Sequence, residues 1–97
     1  MAEEKQFENK VKRWLKSKGI YHFKYFANAF TTCGIPDIIA CVNGRFVGIE
    51  LKREKGTTSP LQDYNLKQIE KSGGISMVLR PSGFGNFKKV IEELLKW

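Results

Sequence analysis

Residues 37–52 read DIIACVNGRFVGIELK, and this stretch decides the fold. Two runs rich in β-branched and apolar residues, 37–42 and 45–52, are separated only by Asn43 and Gly44. Asn-Gly between two such runs favours a type I′ hairpin, because both central positions of that turn need φ > 0. We therefore predict an antiparallel hairpin with a two-residue loop.

A two-residue loop also sets the register of the hairpin. Val42 pairs with Arg45, and each step back along the first strand matches one step forward along the second. Asp37 then lies opposite Glu50, and directly opposed Cβ atoms in a sheet are about 4.5–5.5 Å apart. Lys52 lies two residues beyond Glu50 and points to the same face. The register thus predicts two carboxylates and a lysine at one end of the hairpin.

This arrangement favours a metal site. Like charges directly opposed in a sheet are destabilising, and one carboxyl group should have a raised pKa. A hard cation such as Mg²⁺ resolves the conflict, and the backbone carbonyl of Leu51 is a candidate further ligand. Lys52 is then placed to orient or deprotonate an attacking water, or to neutralise charge on a phosphate. The alternative is a solvent-facing strand end at which Lys52 merely bridges Glu50 and Asp37 only starts a strand.

The rest of the chain predicts further helices and strands. Ser59, Pro60 and Gln62 carry the signature of a capping box with proline at the first helical position. Apolar spacing and glycine or proline breaks then give the order of elements. We predict a helix over 3–18, strands over 20–26, 37–42 and 45–52, a helix from 60 to Gly73, a strand over 75–80, and a helix over 87–95 capped by Asn86.

This order predicts an α/β fold. The first three strands meet through short connections and are therefore antiparallel. The third strand, the following helix and the fourth strand form a right-handed parallel βαβ unit. The result is a mixed four-stranded sheet flanked by helices, with a C-terminal helix.

Composition narrows the class of protein. The chain has 97 residues and a formal charge of +7, which predicts one domain over 1–97 and favours nucleic acid as partner. Two cysteines exclude a disulfide framework, and one histidine excludes a zinc finger. No apolar run approaches the ~18 residues of a membrane helix, and the first residues lack the apolar core of a signal peptide. We therefore expect a cytoplasmic protein without a membrane partner.

The motifs Gly34-Ile-Pro-Asp37, Ile49-Glu-Leu-Lys52 and Ser59-Pro-Leu-Gln62 occur in this order, with a hairpin between the first two. The sequence resembles the VRR-Nuc family of the PD-(D/E)xK nuclease superfamily over about residues 3–81. The resemblance implies a restriction-endonuclease-like αβββαβ core and cleavage of DNA with Mg²⁺ or Mn²⁺, without a nucleotide cofactor. Stand-alone bacterial and phage members resemble archaeal Holliday junction resolvases. For this chain it implies a homodimer acting on branched DNA, in the cytosol of a bacterium or of a phage-infected host.

The resemblance also assigns roles. Asp37 and Glu50 take the metal-ligand positions, and Lys52 takes that of the catalytic lysine. Glu8 is the candidate for the glutamate with which the first helix completes many such sites; otherwise it forms an ordinary surface pair with Lys12.

Other side chains have two interpretations each. Gln62 matches the glutamine that follows the E-x-K strand in the family, but it also has a full structural role in the capping box. Lys12, Arg53, Lys55 and Thr57 are candidates to contact the DNA backbone, although a solvated helix face and a charged loop have the same composition. The aromatic residues of the first strand and the positions after it are interpreted as core or dimer interface rather than base-stacking platforms: Tyr21, Phe23, Tyr25 and Phe26.

Two rival functions remain open from the sequence. The chain could be a non-catalytic basic module that binds nucleic acid, in which the two carboxylates are incidental. A structural or protein-interaction domain would explain the aromatic first strand but not the carboxylate pair. Metal-dependent cleavage distinguishes the enzyme from both.

Overall fold

The computed structural model describes residues 3–28 and 30–97. Position 29, between the predicted strands 20–26 and 37–42, and positions 1 and 2 of the predicted domain lie outside the described residues. The elements are α1 (Glu3–Ser17), β1 (Tyr21–Lys24), β2 (Ile38–Val42), β3 (Arg45–Leu51), α2 (Pro60–Lys71), β4 (Ile75–Leu79), a 3₁₀ turn (Pro81–Gly83) and α3 (Phe84–Leu95). Each predicted helix and strand is present in the predicted order.

The central hairpin has the predicted turn and register. Asn43 and Gly44 both adopt positive φ, at 52° and 83°, as a type I′ turn requires. Val42 pairs with Arg45, and the ladder runs back to Ile38 opposite Ile49. β1 is antiparallel to β2 and β3 is parallel to β4, so the sheet is mixed, in the order β1-β2-β3-β4. The predicted α/β class, with helices flanking a mixed four-stranded sheet, is confirmed.

Capping interactions fix where α2 begins. The Ser59 hydroxyl accepts from the Gln62 backbone N–H at 3.2 Å, and the Ser59 N–H donates to Gln62 Oε1 at 2.9 Å. Pro60 occupies the first helical position, where its missing N–H costs no hydrogen bond. The predicted capping box is therefore complete.

The start of α3 differs from the prediction. The helix begins at Phe84, so Asn86 lies inside it and does not cap it. The turn that Pro81 opens leads directly into the helix, with the Gly83 N–H donating to the Arg80 carbonyl at 2.8 Å. Burial explains the earlier start, because Phe84 packs edge-on against two aromatic rings of α1, those of Phe7 and Trp14.

The core lies between one face of the sheet and the two helices α1 and α3. Its fully buried members come from all three layers and include Val11 and Leu15 of α1, Ile38, Val42, Val47 and Ile49 of the sheet, and Ile91 of α3. Helix α2 packs on the opposite face, where Ile69 approaches the β3 backbone at Gly48. Within the described ranges 3–28 and 30–97, no helix combines the length and apolar character needed to cross a membrane.

The aromatic residues around β1 are predicted to lie in the core or in a dimer interface, and for three of them the structure excludes the core. Tyr21 is 75% exposed, Phe23 is 45% exposed and Phe26 is 70% exposed. Tyr21 and Phe23 lie on the α2 side of the sheet, because they pair with Cys41 and Ile39 of β2, whereas the core face carries Ile38 and Ala40. Helix α2 covers the β3–β4 end of that face and leaves these rings open to solvent.

We expect Gly48→Ala to destabilise the protein by about 1–3 kcal/mol, because overpacking forces neighbours to move. A Cβ atom at position 48 would meet Ile69 Cδ1 at 2.8 Å and Pro36 Cγ at 3.0 Å. Urea denaturation followed by circular dichroism measures the change. Gly85→Ala is the matched control, because nothing lies within 4 Å of its Cβ position in α3, and alanine should add up to about 1 kcal/mol there. Equal stability of Gly48→Ala and the native protein would contradict the proposed close packing of α2.

Candidate active site

The start of β2 and the end of β3 bring two carboxylates together. Asp37 comes one residue before β2, where the register continues to Glu50. Asp37 Oδ2 accepts a hydrogen bond from the Leu51 backbone N–H at 2.8 Å, which ties the side chain to the neighbouring strand. Glu50 is 3% exposed, although it is an acidic residue. The predicted juxtaposition is therefore present at one end of the sheet.

The environment of Glu50 disfavours its charge. Burial, followed by repulsion from and hydrogen bonding with the Asp37 carboxyl group, raises the pKa of Glu50 from 4.5 to about 7. Lys52 lies 3.7 Å from Glu50 Oε2 and offsets part of this effect. A buried acid with a raised pKa beside a second carboxylate is typical of functional sites.

Gln62 makes the predicted capping interaction and also contacts Glu50. Its amide oxygen accepts the capping hydrogen bond from Ser59. Its amide nitrogen, Nε2, donates to Glu50 Oε2 at 3.1 Å. The start of α2 thus holds the orientation of the Glu50 carboxylate, and the two interpretations of Gln62 are compatible.

The donor set suits a hard divalent cation. Mg²⁺ and Mn²⁺ prefer carboxylate, carbonyl and water oxygens, and Mg²⁺ is commonly held by one or two carboxylates together with phosphate oxygens. Asp37 and Glu50 supply such a pair, and a cation between them would relieve their repulsion. Among residues 3–28 and 30–97 there is no group of three His, Cys, Asp or Glu side chains that could hold a metal. Glu8 is therefore not grouped with the other two carboxylates.

Glu8 instead accepts hydrogen bonds from lysines. Lys24 Nζ lies 2.7 Å from Glu8 Oε1, and Lys5 Nζ and Lys12 Nζ each lie 3.1 Å from Glu8 Oε2. Burial would raise the pKa of Glu8, but the hydrogen bonds from Lys24, Lys5 and Lys12 outweigh it and lower the pKa to about 2. The predicted pairing with Lys12 is present, but as one of three.

Lys24 is the residue near the site that the sequence interpretation missed. Its Nζ lies 3.7 Å from Asp37 Oδ1 as well as 2.7 Å from Glu8. Strand alternation could have found it, since Lys24 follows the apolar position Ile20 at even spacing and so faces α1. Only the packing of α1 on the sheet brings Glu8 to it.

A cleft of about 860 Å³ opens beside Lys52 and contains three of the four predicted DNA-contacting residues, Arg53, Lys55 and Thr57. Acidic residues also line this cleft, namely Glu3, Glu4 and Glu54. The loop that forms one wall is held in place because Arg80 Nη2 donates to the Gly56 carbonyl at 2.7 Å. The fourth predicted residue, Lys12, lies outside the cleft and contacts Glu8.

The raised pKa of Glu50 predicts how stability depends on pH in metal-free protein. Between about pH 4.5 and 7 the folded protein holds a proton that the unfolded carboxyl group has lost, so the free energy of unfolding falls as pH rises through this window. The difference in pKa corresponds to about 3 kcal/mol. Glu8 acts in a separate window, because its stabilising contribution is complete above pH 4.5 and is lost as pH falls towards 2.

Urea denaturation in EDTA at intervals from pH 4.5 to 8 measures this dependence. Glu50→Gln is the control, because an amide cannot titrate and most of the slope should disappear. A slope that persists unchanged in Glu50→Gln would assign the effect to another group.

The fold is similar to those of two solved structures. A VRR_NUC domain protein superposes with a TM-score of 0.73 at 22% identity, over 99% of this chain and 90% of that one. The Holliday junction resolvase of the archaeal hyperthermophile Archaeoglobus fulgidus superposes with a TM-score of 0.60 at 20% identity, over 78% of this chain and 66% of the resolvase. No protein-family model matches the sequence, and no curated protein matches it either. The chain therefore has the fold of a VRR_NUC domain protein and of an archaeal Holliday junction resolvase, as the resemblance of its motifs predicts.

Proposed function

We propose that this protein is a metal-dependent endonuclease that hydrolyses phosphodiester bonds in branched DNA, such as four-way junctions. The observation that carries the proposal is that the partly exposed Asp37 lies opposite the buried Glu50, with Lys52 beside Glu50. Its fold neighbours include a Holliday junction resolvase, which supports the choice of substrate class.

In this proposal Asp37 and Glu50 hold Mg²⁺ or Mn²⁺, with the Leu51 carbonyl as a further candidate ligand. The cation, when bound, would polarise the phosphodiester and lower the pKa of a bound water. Lys52, whose side chain is 20% exposed, faces the same point and can orient the attacking water or neutralise charge that develops on the phosphate. Water adds to phosphorus and gives up a proton, the bond from phosphorus to the leaving sugar oxygen breaks, and that oxygen takes up a proton, so that a phosphate end and a hydroxyl end result.

Gln62 and the cleft support this chemistry from outside the reacting atoms. The hydrogen bond from Gln62 keeps one Glu50 oxygen in a fixed direction. Arg53, Lys55 and Thr57 lie next to Lys52 along the cleft and are placed to contact backbone phosphates of the same strand. Such contacts fix the position of DNA without reading its sequence.

We further propose that the protein acts as a homodimer. The sheet face next to α2 carries an apolar groove of about 400 Å³ that includes Ile35, Ile39 and Phe46. Tyr21 and Phe46 flank Cys41 on this face, and both rings are about half exposed or more. An apolar surface of this kind suits a second copy of the chain, because its burial would be favourable. The rest of a chain with charge +7 would be repelled by another copy, so this face is the one on which two copies can meet. Asp37 lies on the same face, four residues along β2 from Cys41.

We expect Asp37→Ala, Glu50→Ala and Lys52→Ala each to lower the cleavage rate by at least about a hundredfold, because each removes a metal ligand or charge-stabilising group. Cleavage of labelled duplex, flap, splayed-arm and four-way-junction DNA with Mg²⁺, Mn²⁺ or EDTA measures the loss. Binding of the same DNA should change little.

Glu92→Gln is the matched control for this series, because it removes a carboxylate from a surface pair with Lys18. The control should cleave at the native rate. If native protein cuts none of these substrates with either metal, but binds them, the non-catalytic binding module is the correct function. Full activity of Asp37→Ala would also contradict the proposed role of Asp37 in an endonuclease.

For the dimer, we expect native protein to sediment as a dimer at micromolar concentration, and Tyr21→Lys with Phe46→Lys to sediment as a monomer. Charge placed in an apolar interface is costly to bury. Val90→Lys is the control, because Val90 is a partly exposed apolar residue on α3, on the other side of the sheet. A monomeric native protein, or a Val90→Lys variant that dissociates equally, would refute the proposed interface.

A further inference from the structure

Three lysines converge on one buried carboxylate next to the Asp37–Glu50 pair. The Glu8 side chain is 8% exposed, whereas Lys5, Lys12 and Lys24 are 49%, 30% and 21% exposed. The four groups together carry two positive charges in excess. This excess is held at fixed positions, because Glu8 anchors each ammonium group at 2.7–3.1 Å.

Lys24 connects this cluster to the proposed metal ligands. Its ammonium group lies between Glu8 and Asp37, closer to Glu8 by a full ångström. When Asp37 holds a cation, Lys24 is repelled from that side and keeps Glu8 as its partner. Its remaining donors are then free for an anion beside the metal site. Lys12 is held by the same carboxylate, Glu8, and its side chain is partly exposed to solvent like that of Lys24.

We propose that Lys24 and Lys12 form a binding site for a DNA backbone phosphate adjacent to the cleaved one, and that Glu8 is the positioning residue that holds them. The inference rests on the proposed nuclease function, and it assigns Glu8 a role different from that of a metal ligand. The contacts of Glu8 support this assignment. Both oxygens of Glu8 already accept from ammonium groups. Lysine ammonium groups are common phosphate ligands, since each provides a positive charge and three donors.

This site lies apart from the cleft that contains Arg53 and Lys55. That cleft is lined by α1 residues at positions 3, 4 and 7 and by the loop after β3, whereas Lys24 comes from the end of β1. A strand of DNA that crosses Asp37 would therefore meet positive charge on both sides of the metal site. The two sets of contacts would hold the scissile phosphate between them.

The test separates phosphate binding from metal binding. DNA binding is measured by fluorescence anisotropy of a labelled four-way junction in EDTA and in Ca²⁺, over a range of salt concentrations. Mn²⁺ binding is measured by calorimetry on native protein without DNA. Lys24→Gln should weaken DNA binding about tenfold and reduce the magnitude of the salt slope by about 1, because one phosphate contact is lost. It should leave Mn²⁺ affinity unchanged or tighter, since a competing cation beside Asp37 has been removed.

Glu8→Gln tests the anchor. It should leave Mn²⁺ affinity close to native and lower kcat while DNA affinity stays the same or increases, because the lysines remain but lose their fixed positions. Combined with Lys24→Gln, it should lower kcat by much less than the product of the two single effects. Lys18→Gln is the matched control, because it removes the same charge from a surface pair with Glu92.

Two results would overturn the proposal. One is a Lys24→Gln variant with the same DNA affinity and salt slope as Lys18→Gln. The other is a Glu8→Gln variant that loses Mn²⁺ affinity by about tenfold or more while Lys24→Gln does not, which would make Glu8 a ligand. Thermal unfolding of each variant checks the fold, and if Glu8→Gln fails to fold, Lys24→Gln decides alone. If native protein binds DNA but neither binds Mn²⁺ nor cleaves any substrate, the proposed nuclease function is wrong. The salt slope of Lys24→Gln still tests the phosphate site in that case.

Discussion

Repulsion between Asp37 and Glu50 is the interaction on which the rest of the site depends. The two carboxylates are opposed because the Asn43-Gly44 turn sets the register of the hairpin, which continues from the Ile38–Ile49 pair to Asp37 and Glu50. Burial of Glu50 strengthens the conflict, since little water screens it. A protein that needed only stability would place an apolar residue here. The geometry of the backbone therefore keeps two acceptor groups together at a position where a cation would relieve their repulsion.

The neighbouring groups offset this repulsion from different sides. The Leu51 N–H donates to Asp37, and Gln62 and Lys52 approach Glu50 from the α2 side. Lys24 approaches Asp37 from the α1 side. The lysine contacts of Asp37 and Glu50 are 3.7 Å long, whereas Lys24 lies 2.7 Å from Glu8. The negative charge of Asp37 and Glu50 is therefore less well compensated than that of Glu8. Its surroundings stabilise the site without neutralising it.

Local rules predicted those parts of the structure that local chemistry determines. The turn type fixed the hairpin register, and the Ser59–Gln62 spacing fixed the start of α2, because both depend on hydrogen bonds between residues that are close in sequence. Gln62 can serve both the capping box and the site because its amide oxygen accepts one hydrogen bond and its amide nitrogen donates another. The contact of Lys24 with Glu8 and the start of α3 could not be derived in this way. They depend on how α1 packs against the sheet and against Phe84, and sequence spacing contains no information about that packing.

The aromatic residues of β1 show the same limit and lead to a geometric consequence. Alternation along β2 places Asp37, Ile39 and Cys41 on one face, so the proposed metal site and the exposed aromatic surface share a strand. At about 3.3 Å per residue, Cys41 lies about 13 Å from Asp37 along that strand. If a second copy packs on the surface around Cys41 with a two-fold axis that crosses β2 at right angles, the two sites would be separated by on the order of 26 Å along the strand direction. In that arrangement the four-residue separation between Asp37 and Cys41 would set the spacing of two cuts along the strand, because each copy contributes the same distance.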